Sequence, residues 1–173
     1  AIVVGQTIDL STYRSQTPNG QFLGDTVFEN CTFVGAIPDS LVGATFERCQ
    51  FSPNLQFKYV GHVTFKGCNL GEVSFEGGKL EGSEFVSCNL KGASFKDAQL
   101  TSEAQLHKQS FLSFEACNLT DTAFDNAVVG ARFANCDISQ LGLNSRAKRV
   151  DAIQIGGKVN VGSCLQGLTY FYL

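Results

Sequence analysis

The chain has 173 residues, 13 basic against 16 acidic side chains, a formal net charge of −3 and 43% hydrophobic residues, enough for one domain with a filled core. No apolar stretch reaches bilayer-spanning length, and "AIVVGQTIDL" has neither a basic n-region nor a long h-region, which excludes a membrane-spanning helix and gives no signal-peptide pattern. The skew to 15 Phe and 18 Gly beside no Trp, no Met and 3 Pro points to one stereotyped interior used many times.

Residues 1–20, including "TIDLSTYRSQTPNG", show no clear five-residue step and are expected to form an N-terminal cap that keeps the first coil from pairing with another chain. Residues 21–143 carry a repeat. Its clearest run follows the large apolar residue from Leu55 through Val60, Phe65, Leu70, Phe75, Leu80, Phe85, Leu90 and Phe95 to Leu100, always at a step of five. A step of five leaves the face of an α-helix and alternates sides of a strand, so neither geometry explains it. Two residues before most centres stands something small or β-branched, as in Val63, Cys68, Val73, Gly78, Ser83, Cys88, Ala93 and Ala98. If each unit makes one short side and a corner, four units close a square coil of about twenty residues with the large residue inward. Gly67, Gly77, Gly82 and Gly92 fall at corners, where glycine tolerates positive φ.

Successive coils then stack as a parallel sheet wound into a tube, about 4.8 Å apart. Cys31, Cys49, Cys68, Cys88, Cys117 and Cys136 are separated by 18, 19, 20, 29 and 19 residues and are expected to share one column. Phe28, Phe46, Phe65, Phe85, Phe114 and Phe133 form a second ladder, and Phe75, Phe95 and Phe124 a third, with Leu70, Leu80, Leu90, Leu100 and Leu119 completing the predicted core. The one long step marks an insertion, "TSEAQLHKQS" at Thr101–Ser110, read as a loop extruded from the tube. A shorter irregularity, Gly35–Ser40, is expected to distort an early corner. Residues 144–173 form a C-terminal cap. Within it, "AIQIGGKVNV" (Ala152–Val161) alternates around Gly156-Gly157 and reads as a β-hairpin. The apolar tail "LTYFYL" either covers the last coil or forms a homodimer seam.

The units "FENCTF", "FERCQF", "FKGCNL", "FVSCNL", "FEACNL" and "FANCDI" resemble the pentapeptide-repeat proteins over roughly Gln21–Leu143. The resemblance implies an all-β fold, a right-handed quadrilateral parallel β-helix. "EVSF", "GATF" and "GSEF" depart from the family's usual Asp or Asn before the centre. The resemblance also implies an activity known in the family, mimicry of DNA by an acidic tube that binds type II topoisomerases and protects gyrase from quinolones, and dimerisation through the C-terminal end.

Chemistry is sparse. Parallel stacked thiols sit slightly beyond disulfide reach, no CxxC pair exists, and His62 and His107 have no short-range Cys partner, so neither a disulfide framework nor a metal site is expected. Cys164 lies off the column and is kept as exposed or paired. Charged residues follow the inward centres and point outward on a convex tube, so no enzyme and no cofactor are expected. The tube carries about six net negative charges, while Asn144–Leu173 is net basic through "NSRAKRV", a modest cluster that supports no direct nucleic-acid partner. The expected function is a non-catalytic protein-binding scaffold, with topoisomerase binding by DNA mimicry as the alternative. Glu76, Glu81, Glu115, Asp125 and His107 are the candidate partner contacts. A cytoplasmic location is expected, with an exported or lumenal one after loss of a targeting segment as the alternative. A continuous acidic stripe would favour DNA mimicry, and a mixed face a scaffold.

Overall fold

A computed structural model describes residues 1–13, 21–22, 25–36, 40–101, 111–168 and 171–172. The chain winds into a parallel β-solenoid of about 6 turns. Its sides are very short strands. Val27–Glu29, Thr45–Glu47 and Thr64–Lys66 each bury the central residue and leave its two neighbours toward the surface, as the two-residue period of a strand requires. The first face of the tube is a nine-stranded parallel sheet running from Ile2–Val4 to Phe171–Tyr172. The second face begins as a three-stranded sheet at Thr7–Asp9 and continues through single bridges between Gln50, Asn69, Asn89 and Asn118. Bridges between Gln56, Ser74, Ser94 and Ala123 carry the third face, and a four-stranded sheet from Gln21–Phe22 to Lys79–Glu81 carries the fourth.

The register stacks like on like. Phe28, Phe46, Phe65, Phe85, Phe114 and Phe133 are direct partners in successive strands, with ring centroids 4.9 to 5.3 Å apart. On the opposite side Phe57, Phe75, Phe95 and Phe124 stack at 4.6, 4.6 and 5.0 Å. The two columns meet edge to face, as between Phe75 and Phe85 at 5.8 Å and 90°, the arrangement that ring quadrupoles favour. Leu70, Leu90 and Leu119 on the second face, and Leu80 and Leu100 on the fourth, fill what the rings leave. From Phe65 to Phe124, two rings on opposite sides and two aliphatic side chains on the others fill a square of fixed size, so no side can grow without another shrinking, while Phe33 and Phe51 set rings on the second face of the earlier coils.

The six column cysteines are buried and unpaired. Each donates its S–H to a carbonyl of the coil below: Cys31 to Val3, Cys49 to Phe28, Cys68 to Phe46, Cys88 to Phe65, Cys117 to Phe85 and Cys136 to Phe114, at 3.2 to 3.5 Å. A second ladder stands outside. Asn69 donates to Gln50 at 3.0 Å and Asn89 to Asn69 at 3.2 Å, while Asn69, Asn89 and Asn118 accept from the backbone N–H two residues on and so close the following corner.

Three sequence expectations change. The described part of the segment before Gln21, residues 1–13, joins the tube: Ile2–Val4 pairs in parallel with Val27–Glu29, Thr7–Asp9 with Thr32–Val34, and Ile8 and Leu10 are buried. It is a further coil, and two centres, Val3 and Ile8, are too few to reveal a period. Ala152–Val161 is not a hairpin. Arg149–Gly156 runs parallel to Val128–Ala134, Gly157 takes a corner at φ 62, and Asn160 bridges in parallel to Asp137. A Gly-Gly pair serves a corner as readily as a hairpin, and the inward seats left above Ala131 and Phe133 decide for the corner by accepting Ile153 and Ile155. The tail strand Phe171–Tyr172 then pairs with Ile153–Gln154 and extends the sheet. Finally, Cys164 is buried, with the Leu143 N–H 3.5 Å from its sulfur.

Corners need a left-handed residue, and glycine supplies only part of them. Gly77 sits at φ 67, but Arg48, Glu72, Ser87 and Ala116 hold φ between 51 and 61 in equivalent turns. Because the neighbouring coils impose this conformation, a side chain that disfavours it stores strain.

Two stability predictions follow from this packing. Phe85→Ala opens a void between Phe65 and Phe114 and is expected to cost about 3–5 kcal/mol in denaturant unfolding; an unchanged midpoint would remove Phe85 from the ladder. Gly77→Ala meets no atom within 4 Å, so its expected loss of about 1 kcal/mol isolates backbone strain, and Ala116→Gly at φ 53 is expected to shift stability the opposite way. Equal signs for the pair would show that corner conformation does not limit stability.

Candidate interaction face

The ring and leucine columns fill the tube, so a protein partner is met on its outside. Among the described residues no three or more His, Cys, Asp or Glu side chains converge as a metal site, and no helix is long and apolar enough to cross a membrane.

The acidic residues singled out from sequence do not come together. Glu76 stands exposed on the third face, where Ser94 donates to it at 3.0 Å. The register that aligns Ser74, Ser94 and Ala123 places Glu76, Lys96 and Asp125 in one column, so charge alternates from coil to coil. Glu115 stands on the first face in the column of Glu29 and Glu47, but Lys66 and Val86 lie between. Neither face carries a continuous acidic stripe. His107 lies outside the described residues.

Glu81 is different. On the fourth face Tyr59 and Lys79 are direct partners in adjacent strands, and both reach the same carboxylate: the Tyr59 hydroxyl donates to Glu81 at 3.1 Å and the Lys79 ammonium lies 3.2 Å from it. Partial burial, then the hydrogen bond and charge of Glu81, push the Tyr59 phenol up from its ordinary value. The Tyr59 ring lies across Gly61, and the His62 imidazole lies where a side chain on Gly82 would stand, 2.7 Å from its Cβ position. Glycine at these two places is what lets the rings lie flat on the wall.

The same face bears the insertion. Lys79 bridges to Gln99, so Thr101, the last described residue before the insertion, stands above Glu81. The chain returns with Ser113 donating to the Ser83 carbonyl at 3.0 Å and Phe114 paired with Phe85, so the tube closes in register as though nothing had been inserted. Thr101, where the insertion begins, therefore stands one coil above the strand that holds Lys79 and Glu81. Sequence reasoning found the insertion and Glu81 but not Tyr59 or Lys79. The available signal was the twenty-residue spacing that puts Tyr59 and Lys79 in one column.

Comparison with known proteins agrees with this architecture. A family model described as pentapeptide repeats matches residues 68–102 in 8 copies. Full-length QnrB1, a plasmid-mediated fluoroquinolone resistance protein, superposes with a TM-score of 0.57 at 20% identity, covering 92% of this chain and 75% of that one. A trypsin-treated variant of QnrB1 gives 0.51 at 18% identity over 92% and 70%. No curated protein matches in sequence. The five-residue unit is the one that the pentapeptide-repeat model matches over residues 68–102, and the parallel tube it builds is the fold shared with these solved structures.

Proposed function

We propose that this chain is a non-catalytic scaffold that binds another protein through its fourth face, with segment 102–110 and the Tyr59, Lys79, Glu81 and His62 group as the contact. One observation carries the reading: strand register is undisturbed on both sides of the insertion, so the fold does not need it, and Thr101, where it begins, stands one coil above the converging Tyr59, Lys79 and Glu81 side chains. Loops on rigid frames are where binding residues concentrate, and the tube supplies such a frame. A reducing, cytoplasmic compartment belongs to this reading and is supported by seven unpaired thiols.

Likeness to QnrB1 favours a second reading, topoisomerase binding by DNA mimicry, at the level of fold. Alternation of Glu76, Lys96 and Asp125, and Lys66 between Glu47 and Glu115, weigh against it, because a duplex presents one negative charge per ~1.7 Å without interruption. The separating experiment is a gyrase supercoiling assay with and without a fluoroquinolone. No effect at micromolar protein is expected; inhibition or drug protection would replace the scaffold reading with the DNA mimic. For the contact itself, Glu81→Lys and a chain lacking residues 102–110 should each lose at least about tenfold in affinity for a captured partner. Their melting should stay near that of the parent, and a partner held equally by both variants would move the interface off this face.

A further inference from the structure

The thiol column is reached by a recess at Cys117. A recess of about 240 Å³ on the second face is lined by Cys117, Asn118, Leu119, Thr120, Asp137 and Gln140. Cys117 and Cys136 are 7% and 6% exposed, against 0 to 2% for the four column cysteines below them. Phe114 pairs with Phe133, so these two cysteines occupy the same place in adjacent coils. We propose that Cys117 and Cys136 form a two-coordinate site for a thiophilic divalent cation of linear preference, represented by Hg²⁺, entered through this recess.

Spacing selects the chemistry. Coils about 4.8 Å apart hold the paired Cβ atoms beyond the ~3.5–4.5 Å that a disulfide spans, and both thiols are free. A linear sulfur–metal–sulfur unit with bonds of about 2.3 Å needs its sulfurs about 4.6 Å apart, close to the coil repeat. No third ligand converges among the described residues, so a tetrahedral cation finds half its shell missing.

Charge then selects the valence. Binding breaks two S–H bonds and forms two Hg–S bonds; the electron pairs stay on sulfur, nothing is oxidised or reduced, and two protons leave to solvent. The product is neutral and suits a dry interior. A monovalent thiophilic ion would leave one uncompensated negative charge there. A hydrogen bond with Cys88 and burial hold the Cys117 thiol up, and burial holds Cys136 up, so uptake at fixed metal should increase with pH.

The test uses the full chain with one equivalent of HgCl₂, read by native mass spectrometry and by sulfur-to-mercury charge-transfer absorption. One Hg²⁺ is expected, with a mass two protons below simple addition, and equimolar ZnCl₂ should not be retained. Against a competing monothiol, Cys117→Ala and Cys136→Ala should each lose at least tenfold in retained mercury while Cys31→Ala keeps it. Equal retention by Cys117→Ala, equal retention of zinc, or no mercury on the folded chain would overturn the proposal. Should the column variants fail to fold, X-ray absorption of the mercury-loaded parent decides: two sulfur neighbours support the site and three or more refute it.

Discussion

Everything in this molecule depends on the in-register stacking of large side chains inside a square of fixed size. In the coils from Phe65 to Phe124 the interior holds two facing rings and two facing aliphatic chains, with small residues between them, whereas Phe33 and Phe51 put rings on the second face of the earlier coils. Phe65, Leu70, Phe75 and Leu80 make one such layer, and Phe85, Leu90, Phe95 and Leu100 the next. The five-residue period is the imprint of this layer on the sequence. It also explains the cysteines, which are small enough to stand beside a ring and carry a weak donor for the carbonyl of the coil below.

That constraint decides what was legible from sequence. Parallel tube, columns and insertion all follow from counting large residues, because an inward position cannot be occupied otherwise. The end coils were not legible: Val3 and Ile8 bury only one turn's worth of repeat, and Gly156-Gly157 followed by alternating apolar residues is as good a hairpin as it is a corner. Corner chemistry was half legible. Glycine announces a left-handed residue, whereas Arg48, Glu72 and Ala116 adopt the same conformation only because the coils above and below demand it, which no local pattern records.

The proposed contact face was the least legible part. Outward residues escape the period that governs inward ones, so nothing in the pattern marks Tyr59 as belonging with Glu81. Only the coil length brings them together, and coil length here is not constant. A solenoid couples each coil chiefly to its neighbours, so a departure such as segment 102–110 is felt locally, and the register of Phe85 with Phe114 survives it. Tolerance of insertion is therefore a property of the architecture, and it leaves the surface free to specialise while the interior stays stereotyped.

Electrostatics narrows how such a surface can recognise anything. Charges of opposite sign on successive coils stand about 4.8 Å apart, well inside the screening length of about 8 Å at physiological ionic strength. Their fields largely cancel a short way from the wall. Glu76, Lys96 and Asp125 therefore contribute little long-range steering, and the same holds for Glu81 neutralised by Lys79. A partner that reads this tube must come within contact distance and fit its shape, its hydrogen-bond donors and its flat-lying rings. That requirement suits a protein surface better than a site evolved to capture the extended field of a nucleic acid.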